Sequence, residues 1–413
     1  MHALREHLER NILGWWSKNG ADDEIGGVRT CFTNQGELLS TDRYTWSQGR
    51  WAWVASLVAD DIDAGRISGD SQLWRTRSAH TADWLLHHAF CANGSTAFRV
   101  DEKGNHLPDE EGRISTSVFA DLFAVLGLAG AARAHPDRAH EWAPRAEATL
   151  ERAAMQIRTR TALSEPYPVP DGFRDLAGPM TLLHAAAELY RAVPSEGAQR
   201  IAAEAHNALL DPATGFLGED RWWEFVPDAD SDTDTMLARH VTPGHLIELL
   251  WMMVHAGQAL PELKVSPTLL ECLALRALEV GWDAEHGGLL RYVDRDRGGK
   301  PQGRMLHVPY EDLVTRTWDT KLWWVHAEAM YGSALLAVHT GSEQLAQWAQ
   351  RLSDWTLDTF PDPAGGEWIQ IRARDGSPLD EVVALPVKDP MHVARSLLLL
   401  NALQTKENSD HVR

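Results

Sequence analysis

Apolar residues along this chain recur mostly three and four positions apart, the spacing of a helix with one buried face. The pattern predicts twelve helices, over about 2–19, 44–65, 71–91, 113–134, 138–158, 178–191, 195–209, 242–259, 265–280, 315–339, 342–359 and 389–405. They are of two kinds. The stretch 138–158 keeps Trp142, Leu150 and Ile157 on one side and charge on the other, as an outer helix should. The stretch 242–259, with Leu249-Leu250-Trp251-Met252-Met253-Val254, is apolar nearly all round and belongs inside.

The connections alternate as well. Long loops rich in glycine and aspartate follow the odd-numbered helices, with cores at 22–27, 93–94, 170–173, 211–216, 285–288 and 363–366. They read as short β-hairpins or irregular loops. Links after the even helices are short, as at 192–194 and 340–341. A helix pair thus recurs six times at roughly 60–70 residues. The expected fold is all-α: an (α/α)6 barrel of six helix pairs, even helices inside and odd ones outside, with short β-hairpin loops at one end. One catalytic domain is expected over 1–405, with a polar C-terminal tail over 406–413. An α-solenoid is the competing architecture.

Composition narrows the partners. A net charge of −20 argues against nucleic acid and anionic membranes. No apolar run reaches the roughly 18 residues of a membrane span, and the charged, amphipathic N-terminus is unlike a signal peptide. Cys31, Cys91 and Cys272 are scattered, with no CxxC, so a reduced, cytoplasmic chain without a disulfide framework or structural zinc is expected. The 18 tryptophans outnumber nine phenylalanines and six tyrosines. Most belong in the core; several suit a sugar pocket, where a ring face meets C–H groups and the indole N–H meets a hydroxyl. The expected partner is therefore a small sugar, with room left for a homodimer. Metal and nucleotide motifs are missing from the sequence, and neither a metal nor a cofactor is expected.

Candidate chemistry gathers near the starts of the even helices, which a barrel brings to one mouth. Trp46 and Arg50 lie in the second, His184 in the sixth, and His245 and Glu248 in the eighth. Trp318, Lys321, Trp324, His326 and Glu328 fall in the tenth, His392 and Arg395 in the twelfth. Thr242-Pro243-Gly244-His245 and Asp389-Pro390-Met391-His392 repeat one arrangement: cap, proline, one residue, histidine. The positive end of a helix disfavours imidazolium by about 0.3–1 kcal/mol, so both histidines should lean neutral unless a carboxylate such as Glu248 offsets this. Two such imidazoles in one cavity suit removal of a proton beside a carbonyl and its return elsewhere. Glu248 is expected to orient a neighbouring histidine or arginine. Arg50, among Trp46, Trp51 and Trp53, reads equally as a stacked structural arginine or a substrate clamp. His326 and His339 read as ordinary core or surface histidines. The acidic run Asp22-Asp23-Glu24 lacks the remaining ligands of a calcium loop.

Five stretches together resemble the N-acylglucosamine 2-epimerase family, which includes cellobiose 2-epimerases, mannose isomerases and sulfoquinovose isomerases. They are Trp46 to Arg50, Pro243 to Glu248, Lys321 to Glu328, Gly366 to Trp368 and Lys388 to His392. The resemblance implies an (α/α)6 barrel and a metal-free reaction on a free, unphosphorylated sugar. It implies that His245 and His392 are the acid/base pair, with Glu248 and Arg50 beside them in the catalytic group. Trp46, His184, Trp318, Trp324, Glu328, Trp368, Gln370 and Lys388 are the further candidates for contact with the substrate. In the implied mechanism the sugar ring opens, and His392 takes the C2 proton to give a cis-enediol. Return of the proton to the other face of C2 gives an epimer; return to C1 gives a ketose. His245, steadied by Glu248, assists ring opening and serves as the second proton carrier. Cellobiose epimerases and mannose isomerases tend to carry Met-His near the start of the sixth helix; here the pair is Met180-Thr181, which looks more like the acylglucosamine branch. Two other classes fit the same scaffold: an inverting glycoside hydrolase using Glu248 and Glu328, and a binding protein without catalysis.

Overall fold

The structure, a computed structural model, describes residues 2–411 apart from 110, 214, 365 and 381–386. Thr214 and Gly365 of the predicted loops, and residues 412–413 of the predicted tail, therefore lie outside the described residues. The helices are α1 (His2–Glu6), α2 (Thr45–Asp63), α3 (Ser71–His88), α4 (Val118–Ala134), α5 (Ala139–Thr159), α6 (Ala177–Ala192) and α7 (Glu196–Leu210). They continue with α8 (Met236–Arg239), α9 (Pro243–Ala259), α10 (Pro267–Gly281), α11 (Pro309–Thr317), α12 (Trp323–Thr340), α13 (Glu343–Thr359) and α14 (His392–His411). Helix α1 runs on into π-helical turns over His7–Leu13 and Trp16–Gly20.

Helices α2, α4, α6, α9, α12 and α14 each pack on the next, and α14 returns to α2, closing an inner ring of six. The ring closes because these helices bury apolar residues on every side: α4 and α9 are buried along nearly their whole length. Helices α3, α5, α7, α10 and α13, with the N-terminal helical stretch 2–13 against α14, lie against them as the outer layer. The fold is an (α/α)6 barrel, with the inner and outer assignments the periodicity predicted. Two glycines permit close contacts between its inner helices. A Cβ on Gly49 of α2 would sit 1.9 Å from the Phe123 carbonyl oxygen of α4. One on Gly244 would meet Trp324 and Val325 of α12 at 3.0 Å.

Three details differ from expectation. The predicted helix 315–339 is two helices, α11 and α12, separated at 318–322. Thr317 Oγ1 donates to the Leu313 carbonyl and Thr320 Oγ1 to that of Thr317, ending the first helix. Lys321 and Leu322 then pair antiparallel with Arg372 and Ile371. The loops also pair more with one another than with themselves. Hairpins form at 31–40 and 217–222. Four other two-stranded ladders join separate loops: 43–44 with 99–100, 173–175 with 225–227, 240–241 with 293–294, and 321–322 with 371–372. They stitch successive loops around the mouth. Finally, α14 starts at His392 rather than 389 and extends to His411, beyond the expected end at 405.

Candidate active site

A cavity of about 400 Å³ opens inside the ring, a volume within the usual range for small-molecule sites. Early residues of five inner helices reach it, among them Trp46, Phe119, Thr181, His245 and Trp324, and so does His392 at the start of the sixth. This convergence follows from the barrel, since all six chains enter the inner layer at the same end.

Trp324 stands between the two histidines. Its ring centroid is 4.9 Å from that of His245 and 5.9 Å from that of His392. Each histidine is fixed through Nδ1. His245 Nδ1 lies 2.6 Å from Glu224 Oε1, and His392 Nδ1 lies 2.5 Å from Glu328 Oε1. A carboxylate only accepts, so each Nδ1 carries the proton and each Nε2 is left free for chemistry.

The expected partner of His245 is corrected here. Glu224, not Glu248, orients it; Glu248 lies 4.0 Å from His392 Nδ1. One turn of helix puts Glu248 on the same face as His245, but that face points to the ring centre, where α12 and α14 also converge. Burial pulls the His245 imidazole down, and the charge and hydrogen bond of Glu224 outweigh it, so its pKa is raised rather than lowered. The carboxylate overrides the helix terminus. Glu224 is fully committed: Oε2 accepts from the Thr242 N–H at 3.2 Å. Burial and the neighbouring Glu328 push the Glu248 carboxyl up. Burial also opposes ionisation of Glu328, but Arg395 and His392 hold it low. Arg395 donates to the same Glu328 oxygen as His392, and Trp251 Nε1 donates to the other at 2.7 Å.

Arg50 lies 3.5 Å from Asp389 through Nη1, with its guanidinium 4.0 Å from the centre of the Phe123 ring and 5.4 Å from that of Trp46. Asp389 Oδ2 accepts the His392 N–H at 2.7 Å, so this aspartate both caps α14 and holds Arg50 at the cavity. Gln48, in the same stretch, is structural: its amide grips both the N–H and the carbonyl of Val28 at 2.8 Å.

Of the remaining predicted residues, Trp46, Trp324, Gln370 and Lys388 line the cavity, and four do not. His184 is wedged edge-on between Trp53 and Trp251, each 5.2 Å away, and burial drops its pKa to about 3. Glu328 is wholly buried behind His392 and acts through it. Trp368 is also wholly buried and donates to His7 Nε2 at 2.8 Å. Trp318 lies in the break before α12 and packs against the buried cluster of Met236, Tyr292 and Val314. Gln370 and Lys388 turn their polar ends inward: Gln370 Oε1 accepts from the Asp389 N–H at 3.1 Å, and Lys388 Nζ pairs with Glu367 at 3.0 Å. His326 is a core histidine, its Nε2 accepting from the Leu289 N–H at 2.9 Å.

Sequence reasoning passed over Glu224, Asp175 and Arg291, all on the cavity wall. Glu224 had a signal, a lone carboxylate inside Trp222-Trp223-Glu224-Phe225, where aromatic neighbours announce burial. Asp175 had one too, standing three residues before Gly178, whose N–H it accepts at 3.1 Å at the start of α6.

The profile of the N-acylglucosamine 2-epimerase (GlcNAc 2-epimerase) family matches residues 26–393. The chain is 24% identical over 408 residues to the N-acylglucosamine 2-epimerase of Bos taurus, covering 97% of this chain and 90% of that one. Among solved structures it is similar to a cellobiose 2-epimerase from Bacillus thermoamylovorans, with TM-score 0.72, 19% identity, and 97% and 98% of the two chains covered. It is also similar to a D-mannose isomerase, with TM-score 0.73, 16% identity and 98% of each chain covered. No described helix is long and apolar enough to cross a membrane. With its barrel and two carboxylate-held histidines, the chain belongs to the N-acylglucosamine 2-epimerase family, the sugar epimerases and isomerases.

Proposed function

We propose that the protein interconverts free aldoses with their 2-epimers or ketoses by moving the C2 proton between His392, His245 and the substrate. The observation that carries this reading is the pair of imidazoles beside Trp324, each with Nδ1 tied to a buried carboxylate and Nε2 left free. With the sugar ring open, His392 Nε2 removes the proton from C2. The electron pair becomes the C1–C2 double bond, and charge moves onto O1. Arg50 stabilises that oxyanion, and His245, whose cationic form Glu224 favours, donates its Nε2 proton to the oxygen while its Nδ1–H stays with Glu224. Protonation of the other face of C2 with loss of the O1 proton gives the epimer, and protonation of C1 with loss of the O2 proton gives the ketose. Ring opening comes first: cationic His245 gives its Nε2 proton to the ring oxygen as the C1–O5 bond breaks, solvent water takes the proton of the 1-hydroxyl as C1 becomes the carbonyl, and His245 regains a proton from solvent before enolisation.

The reaction is proposed to need no metal. Ligand atoms of Glu248, Glu328 and His392 lie within 4.8 Å of one another. However, His392 and Arg395 share one Glu328 oxygen and Trp251 takes the other, and Arg395 already supplies the cation there. The same geometry disfavours a glycosidase pair. Two oxygens within 4.8 Å are closer than the roughly 6.5–9.5 Å an inverting pair requires. Three free cysteines support a cytoplasmic location.

Incubation in D2O with mannose, glucose and N-acetylmannosamine, followed by NMR, tests the mechanism. Deuterium should enter at C2 of the epimer or C1 of the ketose, and EDTA should leave the rate unchanged. Product formed without solvent deuterium, or activity lost to EDTA and restored by a divalent ion, would overturn it.

A further inference from the structure

Three lysine or arginine side chains line the cavity, and two are paired: Arg50 with Asp389 and Lys388 with Glu367. Arg291 is different. It is 6% exposed, yet among the described residues no carboxylate oxygen lies within the 4.0 Å of an ion pair. Among the described residues its Nε and Nη1 have no hydrogen-bond partner. Its guanidinium lies 4.8 Å from the Tyr292 ring centre and hydrogen-bonds the Tyr167 phenol, and neither neutral ring cancels a full charge. The nearby acids are occupied elsewhere: Glu224 by His245 and the Thr242 N–H, and Asp175 by the Gly178 N–H. A buried cation without a counter-ion is costly, so proteins seldom keep one unless something binds it.

The position is informative. Arg50 and Asp389 stand at the His392 end of the cavity, whereas Arg291 acts on His245, opposing the proton that Glu224 holds there. A sugar whose C1 and C2 sit between the histidines would extend its far end past His245 to this guanidinium. Tyr292 and Tyr310 also line that end, adding phenols and no further lysine or arginine. One guanidinium neutralises a single negative charge. A phosphate dianion would leave excess negative charge beside Glu224 and Asp175.

We propose that Arg291 is a specificity-determining residue that receives a carboxylate at the end of the sugar remote from C1, so that the favoured substrate is a hexuronic acid or an N-acylated relative. This rests on the reaction proposed above for the same cavity, but it can be tested by binding alone. Tryptophan fluorescence or calorimetry would compare mannuronate and glucuronate with mannose, glucose and mannose 6-phosphate, in the wild type and in Arg291→Met and Arg291→Lys. The wild type should bind the hexuronates about 10–100-fold more tightly than the hexoses, the usual value of a charge-assisted contact. Added salt should weaken that preference. Arg291→Met should erase the preference and Arg291→Lys should recover part of it. The wild-type comparison and its salt dependence need no variant to fold. Equal binding of hexuronate and hexose by the wild type, tighter binding of the 6-phosphate, or a preference kept in Arg291→Met would overturn the proposal. Hexuronate bound preferentially without exchange at C2 would count against the isomerase mechanism and leave the subsite standing. Turnover of neutral sugars without any acidic preference would do the reverse.

Discussion

The two ends of the cavity begin from the same sequence arrangement and finish in different electrostatic settings. His245 is the third residue of α9, after Thr242 and Pro243; His392 opens α14 itself, with Pro390 and Met391 outside the helix. Both donate through Nδ1 to a carboxylate, yet those carboxylates are not equivalent. Glu328 belongs to the inner helix α12 and shares its charge with Arg395. Glu224 comes from a loop and, among the described residues, is hydrogen-bonded by His245 and one backbone N–H. Its charge is spent on the imidazole, which is why His245 holds its proton more firmly than an ordinary histidine. The His245 side chain is 24% exposed and that of His392 8%. One end is thus built to supply a proton from a partly open position. The other presents a fixed, enclosed nitrogen to carbon.

The largest effect should come from removing the enclosed nitrogen. His392→Ala should lower deuterium exchange at C2 by about 10²–10⁴-fold, the range for a general base, with circular dichroism unchanged. Exchange within a few-fold of the wild type would end the assignment of His392 as the carbon base. Replacing the two carboxylates should then separate their roles. Glu328→Gln leaves Arg395 buried without its counter-ion, at a cost of about 3–5 kcal/mol in denaturant unfolding. Glu224→Gln buries no such orphan and should cost less stability. Its effect belongs in the pH profile. Without Glu224 the His245 pKa falls, so the alkaline limb of kcat/KM, where the proton donor is lost, should move to lower pH. Equal stability losses, or an unmoved limb, would mean that the two carboxylates do the same work.

The barrel was legible in the sequence, and the partner of His245 was not, for a physical reason. Burial repeats at 3.6 residues along a helix, so the faces of α5 and α9 announce their layer locally. A loop has no such period. Glu224 reaches His245 only because residues 173–175 and 225–227 pair across two loops, a contact invisible in either stretch alone. The histidines were found because cap and proline fix their place on a helix start. Trp318 and Trp368 were misplaced by the opposite error. Aromatic content suggested a sugar platform, whereas Trp318 fills a small cluster among the loops and Trp368 stacks on Phe360 at 5.5 Å in the main core. The division at 318–322 turned on threonine hydroxyls competing for backbone carbonyls, which an apolar pattern does not record.

The smallest effect sharpens the contrast from the His245 side. Asp175 shares a strand pair with Phe225, next to Glu224, and lines the cavity. Burial raises its pKa to about 6; the Gly178 N–H opposes that rise, and the charge of Glu224 adds to it. An unfolded aspartate titrates near 3.9. Below that value both states are protonated, and the residue does not discriminate between them. Between about 4 and 6 the unfolded chain loses its proton first, and above 6 Asp175 disfavours the fold in full. Asp175→Asn keeps an acceptor for Gly178 and removes the titration. It should stabilise the protein by about 1–2 kcal/mol at pH 7.5, after allowance for cavity solvent, and by nearly nothing at pH 4. Urea unfolding at the two pH values measures the difference. A gain of equal size at both would show that the asparagine acts by packing, and that negative charge does not accumulate at this end of the cavity as Glu224 implies.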